Sequence, residues 1–256
     1  MSSPTSSDRR PSVAERPVVM TSGRLLAVTV LAPTGPLSEV VDDLHRAVLH
    51  AWAADPRAVC CDLTDVSDES GSDALRTLAL LGRHVRDWPA VPLAVQCPDT
   101  AMRRRLRRRP MSGHLIIRAS QPQCLFELDR LVPPAAARLR LDPIPTASRS
   151  ARDFVRRACL DLGIRHGIDS ACLVVSEFVS NVLQHAGTDM EVSVAHYGRR
   201  VRLAVRDHSS TFPHELPRDV ERPYGRGLLL VEAFSRSWGM LPAADGGKVM
   251  WAVLDV

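Results

Sequence analysis

The stretch LVVSEFVSNVLQHAG, Leu173 to Gly187, carries Glu177, Asn181 and His185 at intervals of four residues. At roughly 100° per residue, Ser176, Glu177, Ser180, Asn181, Gln184 and His185 share one half of a helical wheel. Val175, Phe178, Val179, Val182, Leu183 and Ala186 fill the other half, and only Leu173 and Val174 fall on the polar side. The periodicity predicts a continuous amphipathic helix. Taken alone, it fits a solvated face as well as a set of groups aimed at a ligand.

The neighbouring segments add order to that helix. Upstream, SARDFVRRACLDLGI (Ser150–Ile164) has the period of a second amphipathic helix. Downstream, EVSVAHYGRRVRLAVRDHSS holds two strand-like runs joined at Gly198-Arg199, a hairpin pattern whose second strand ends on Asp207. A Pro-rich loop, 211–223, leads to YGRGLLLVEAFSRSWGM, where Gly225 and Gly227 open a run of helical period. The last segment, GGKVMWAVLDV, predicts a closing strand headed by Lys248. Glycines before a helix allow close backbone approach to a ligand, and the helix start favours anions.

A Glu-x-x-x-Asn-x-x-x-His helix, a strand-end Asp, G-x-G at a helix start and a glycine-led last strand together resemble the histidine-kinase-like (Bergerat) ATPase fold. The similarity is strongest to the short anti-sigma-factor serine kinases and runs over about residues 136–256. It rests on SEFVSNVLQHA, VRD, GRGLLLVEAFSRSWG and GGKVMWAVL.

The resemblance implies ATP and Mg²⁺ as cofactors and a role for each matching residue. Asn181 would hold the metal through its side-chain oxygen, as suits a hard ion that keeps several waters. Glu177, one turn earlier, would accept the proton of an attacking serine hydroxyl, the catalytic role in phosphoryl transfer. Asp207 would accept a hydrogen bond from the adenine amino group. The backbone of Gly225, Gly227 and Leu228 would cradle phosphate oxygens, with Arg222 or Arg226 set against the terminal phosphate. Lys248 is grouped with the nucleotide-binding residues, and His185 with the edge of the site. Two departures stand out: Asp207–Thr211, DHSST, lacks the glycines usual after the aspartate, and Val249 stands where a threonine usually flanks the adenine.

The N-terminal half alternates strand-like and helical runs, from RLLAVTVLA (24–32) to PQCLFELDRL (122–131), which predicts an α/β layer with parallel pairing. Over about residues 22–130 this layout resembles a STAS domain, the fold of anti-sigma-factor antagonists. The similarity rests chiefly on DLTDVSDESGSDALRTL. In Asp68-Glu69-Ser70-Gly71, Ser70 matches the family's phosphate-accepting position, while Glu69 replaces a small hydroxyl residue. Ser70 suits an acceptor at a helix start or a plain N-cap.

The predicted fold class is therefore α/β throughout: an N-terminal STAS-like domain and a C-terminal α/β sandwich of the ATPase fold. The expected divisions are a disordered Ser/Pro/Arg-rich tail at 1–21, the STAS-like domain at 22–130, a Pro-rich linker and edge strand at 131–145, and the ATPase domain at 146–256. The composition, 45% hydrophobic and 24% charged, is that of soluble globular protein, and no apolar run approaches the roughly 20 residues of a membrane span. The six cysteines form no C-x-x-C pair, and read as buried apolar residues in a reducing cytoplasm. The formal net charge of +4 gives no global case for a nucleic-acid or membrane partner, and the run Arg103–Arg109 lacks interleaved aromatics.

By resemblance, the expected function is that of a cytoplasmic bacterial regulator, a serine/threonine-protein kinase controlling transcription. It would phosphorylate a serine on a STAS partner or on its own STAS-like domain, and control a sigma factor by partner switching. An intramolecular STAS–kinase contact and a homodimer are expected partners. The alternative is a pseudokinase that acts only by docking.

Overall fold

A computed structural model describes residues 12–18, 28–68, 72–87, 91–131, 136–209 and 226–256. The chain divides into two compact units: Met1–Val48, Pro56–Arg86 and Pro92–Leu131 form the first, and Leu49–Asp55, Asp87–Val91 and Val132–Val256 the second. Among the described residues there are two sheets and seven α-helices, a mixed α/β architecture.

The first sheet runs β1 (Ser12–Val18), β2 (Val28–Pro36), β3 (Val59–Asp62), β5 (Leu93–Gln96) and β6 (Ile116–Arg118), with the short β4 (Val66–Ser67) beside β2. β2, β3, β5 and β6 are parallel. Parallel neighbours need long crossovers, and α1 (Leu37–Ala53), α2 (Ser72–Asp87) and α3 (Thr100–Arg107) supply them, with α4 (Gln121–Leu131) following β6. Cys60, Cys61, Ala94 and Val95 are fully buried in the sheet, as are Leu44, Leu75 and Leu81 on the helices.

Ser12–Val18 departs from the expected disordered tail. It pairs antiparallel with β2 from Ser12↔Thr34 to Val18↔Val28, because the free edge of β2 satisfies its backbone groups. Several arginines of α3 also do structural work rather than only facing water. Arg103 donates to the carbonyls of Cys97 and Pro98, Arg107 to that of Ile117, and Arg105 pairs with the buried Asp68 at 2.7 Å.

The second sheet has the order β10 (Ser237–Pro242), β11 (Lys248–Asp255), β9 (Arg200–Asp207), β8 (Met190–Tyr197), β7 (Ala137–Leu141), and every pairing is antiparallel. The β8–β9 hairpin turns at Gly198 (φ 59°), a left-handed conformation that suits glycine. α5 (Ala147–Asp161) and α6 (Ile168–Asn181) lie against the sheet, with α7 (Arg226–Phe234) beside α6. Their core joins Val155, Val175 and Phe178 to Val192, Leu203 and Met250. Strand alternation fixes which side chains face these helices: Val201, Leu203 and Val205 from β9, and Met250, Ala252 and Leu254 from β11.

Two expectations for this unit are corrected. The helix expected through Leu173–Gly187 stops being α-helical at Asn181, and Val182–Ala186 form one π-turn closed by Gly187 N–H donating to the Val182 carbonyl at 2.8 Å. The segment after α7 is not helix: Ser237–Pro242 pairs with β11, from Ser237↔Val253 to Pro242↔Lys248.

Candidate functional site

The helix wheel places the polar groups of α6 correctly. Val174, Val175, Phe178 and Val179 are buried against the sheet, while Glu177 and Asn181 are half-buried. Val174, on the polar half of the wheel, is nevertheless fully buried. The switch to π geometry begins just after Asn181. It widens the turn, so His185 no longer continues the four-residue series, and His185 is exposed. π-turns are enriched at functional positions, and this one follows the expected metal ligand directly.

Glu177 meets the first turn of α7. A Cβ added to Gly227 would overlap the Glu177 Oε2 oxygen, so any larger residue there would push this carboxylate aside. The α-carbon of the second glycine in G-x-G and the expected base are thus in direct apposition. Leu228 follows with its side chain packed on the core. Gly225, Arg222 and Ser70 lie outside the described residues, as does the Arg226 side chain.

Asp207 ends β9 in phase with Val201, Leu203 and Val205, on the helix-facing side of the sheet. Lys248 opens β11 in phase with Met250, Ala252 and Leu254, and the β9–β11 register sets it directly opposite Asp207. Both are buried, Asp207 at 0% exposure and Lys248 at 3%. Lys248 Nζ lies 3.1 Å from Asp207 Oδ1 and 2.9 Å from Oδ2, and the Ser209 N–H donates to Oδ1 at 2.9 Å. The turn before β11 holds this pair in place. Gly246 has φ 88°, Ala243 N–H donates to the Gly247 carbonyl at 2.7 Å, and a Cβ at Gly247 would overlap the Asp207 carbonyl oxygen. Sequence reasoning grouped Lys248 with the binding residues but missed its ion pair with Asp207, which only the strand register brings out.

Two clusters therefore emerge among the expected site residues. Glu177 and Gly227 meet where α6 meets α7, with Asn181 one turn further along α6, and Asp207, Lys248 and Gly247 meet at the β9–β11 edge. The first suits phosphates and a cation: a carboxylate and an amide oxygen one helical turn apart, beside a glycine-opened helix start. In the second, Asp207 pairs with Lys248, while its buried Oδ2 accepts no hydrogen bond from the described residues.

Residues 138–253, within the second unit, match the family described as the histidine kinase-like ATPase domain. Solved structures similar to the chain include one described as the RsbU and RsbW domains of Rv1364c from Mycobacterium tuberculosis. It is 22% identical, over 48% of this chain and 32% of that one, with a TM-score of 0.37. Among curated proteins, nothing matches. Among the described residues no helix is long and apolar enough to cross a membrane, and no group of three or more His, Cys, Asp or Glu could hold a metal ion.

Proposed function

We propose that the second unit binds a nucleoside triphosphate with Mg²⁺ and transfers its terminal phosphoryl group to a serine. The serine would lie on a STAS-type partner or on the chain's own first unit. Sigma-factor control by partner switching, in the cytoplasm of a bacterium, completes the reading. The observation that carries it is the seating of the Glu177 carboxylate against Gly227 at the start of α7, with Asn181 one turn along α6. In that arrangement Asn181 holds the cation through its amide oxygen, and Glu177 takes the hydroxyl proton of the attacking serine. Bound ATP supplies the transferable phosphoryl group. The helix start of α7 places N–H groups toward phosphate oxygens.

The STAS-like reading of the first unit is supported by its parallel β2-β3-β5-β6 core with helical crossovers, and by the place of Ser70 in the sequence, between β4 and α2. If the two functions act on each other within one chain, a tether raises their effective concentration to about millimolar for a short linker.

The test is incubation of the full chain and a STAS-domain partner with labelled ATP and magnesium. Label on serine that disappears in Glu177→Ala supports the kinase. Label that persists in Ser70→Ala places the acceptor elsewhere. A thermal-shift titration with ATP, ADP and magnesium reads binding separately, with Asn181→Ala as control. Absence of any shift overturns the nucleotide site.

A second reading is favoured by one observation, the engagement of Asp207 by Lys248. On that reading the unit is a pseudokinase that docks partners without turnover. Nucleotide binding with no serine labelling on any STAS partner selects it.

A further inference from the structure

The protein contains one lysine, and all its other Lys/Arg residues are arginine. That lysine is 3% exposed and pairs with Asp207, which is fully buried. The pairing follows from the fold: strand alternation points both side chains to the helix-covered face, and the β9–β11 register places them opposite each other. A buried ion pair stabilises a fold little more than well-packed apolar residues would, so its presence calls for another use. Its hydrogen bonds are lopsided. Lys248 Nζ donates to Asp207 Oδ1 at 3.1 Å, and the Ser209 N–H donates to the same oxygen at 2.9 Å. Oδ2 lies 2.9 Å from the ammonium, yet it is shielded from solvent and accepts no hydrogen bond from any described residue.

We propose that Lys248 is a positioning residue for base recognition: it holds Asp207 so that Oδ2 remains the acceptor for the exocyclic amine of adenine. The inference rests on the nucleotide-site reading above and concerns binding, not transfer. Buried acceptors in folded proteins are almost always satisfied, and an oxygen left without a donor marks the place where one is missing. An ionised carboxylate can only accept, so the missing group is a donor. An amine fits it, whereas a carbonyl in the same place, as on guanine, would set two acceptors against each other. Lys248 contributes twice. Its charge compensates the buried carboxylate, and its hydrogen bond, with that of Ser209, fixes Oδ1 and with it the side-chain rotation. A hydrogen bond to a charged oxygen out of reach of bulk water is among the stronger kinds, so the amine should weigh heavily in binding.

The experiment uses the full chain and titrates, with magnesium, ATP and the purine ribonucleoside triphosphate that lacks only the 6-amino group. The proteins are the wild type, Lys248→Met, Asp207→Asn and the double variant. The wild type is expected to prefer ATP by about tenfold or more. Each single variant is expected to bring the two ligands within about threefold, and the double variant to lose nothing further, because the lysine acts through Asp207. A role in packing alone would weaken both ligands alike and leave their ratio at the wild-type value. That ratio unchanged in Lys248→Met overturns the inference and leaves the nucleotide site standing, as does a wild type that binds the two ligands equally. If no form binds either triphosphate, both fall.

Should Lys248→Met not fold, the wild type provides a second measurement. Acylation of side-chain amines, read by peptide mass spectrometry, reports on Lys248 alone, since it is the chain's one lysine. Labelling that stays as slow, or slows further, when ATP is added supports base reading at Oδ2 with the pair intact. Labelling quickened by ATP shows the lysine leaving Asp207 as nucleotide binds, and overturns it.

Discussion

Glu177 and Gly227 are locked together across the α6–α7 junction: a side chain as small as a methyl group at 227 would overlap the glutamate's Oε2 oxygen. The clash is with the far end of a flexible side chain, not with backbone. Gly227→Ala is therefore expected to fold, with its small steric cost offset by the helix propensity of alanine, about 1 kcal/mol better than glycine. The carboxylate must move aside, however, and misplacing a catalytic group by about 1 Å can cost on the order of 100-fold in rate. A melting temperature close to wild type with serine labelling reduced about 100-fold is the expected result. Equal loss of stability and labelling would instead make Gly227 a packing residue.

Gly247 contrasts with it, because there the added Cβ would strike the Asp207 carbonyl oxygen, which belongs to a strand in the middle of the sheet. Backbone cannot swing away as a side chain does. Gly247→Ala is expected to cost about 1–3 kcal/mol, the usual range for overpacking. It should also loosen the Lys248–Asp207 pair, so acylation of Lys248 should accelerate. Chemical denaturation and mass spectrometry check the two effects together. A variant as stable as the wild type would show that the β10–β11 turn shifts freely.

The different fates of these glycines show what could be read from the sequence. Residues 173–181 announced α6 because burial on one face leaves a 3.6-residue period, and that face is the one the sheet covers. The π-turn at 182–186 left no such trace: it adds one residue to a turn while keeping Val182 buried, so the apolar pattern is nearly unchanged. β1 and β10 were missed for a different reason. Each is held by pairing with a strand distant or only later in sequence, Ser12↔Thr34 and Trp238↔Ala252, and the local pattern does not contain the partner. The same applies to the site. Glu177, Asn181 and Asp207 were visible as spacing and strand ends, but the Lys248–Asp207 pair exists only through register.

Thiol chemistry follows from burial. Cys61 is fully buried, and desolvation first, with Cys124 and Asp62 adding to it, pushes its pKa up to about 12. Burial likewise raises Cys97 to about 11 against the opposing pull of Arg103, and Cys159 to about 11. The thiolate is the reacting form, so at pH 8 only about one in a thousand of the Cys97 and Cys159 thiols is ionised. Native protein is expected to alkylate these three residues at least about tenfold more slowly than unfolded protein. Peptide mass spectrometry after timed iodoacetamide treatment, with and without denaturant, measures this. Rapid native labelling of any of the three would contradict their burial.

His45 on α1 gives the first unit a pH dependence of definite sign. Its ring meets His84 of α2 edge-on, with centroids 5.4 Å apart and planes at 88°. Burial disfavours the imidazolium and lowers the pKa below its ordinary 6.5, with Asp42 opposing in part. The unfolded chain therefore takes up a proton at His45 before the folded chain does, and stability falls as pH drops through about 6.5 toward the folded value. Above 6.5 the site contributes no further change. Urea denaturation of wild type and His45→Phe at pH 8 and pH 5.5 isolates the effect, since phenylalanine keeps an aromatic ring but binds no proton. The wild type is expected to lose more stability than the variant on acidification. Equal losses would mean that His45 is solvated in the folded protein and does not set the acid limit of this unit.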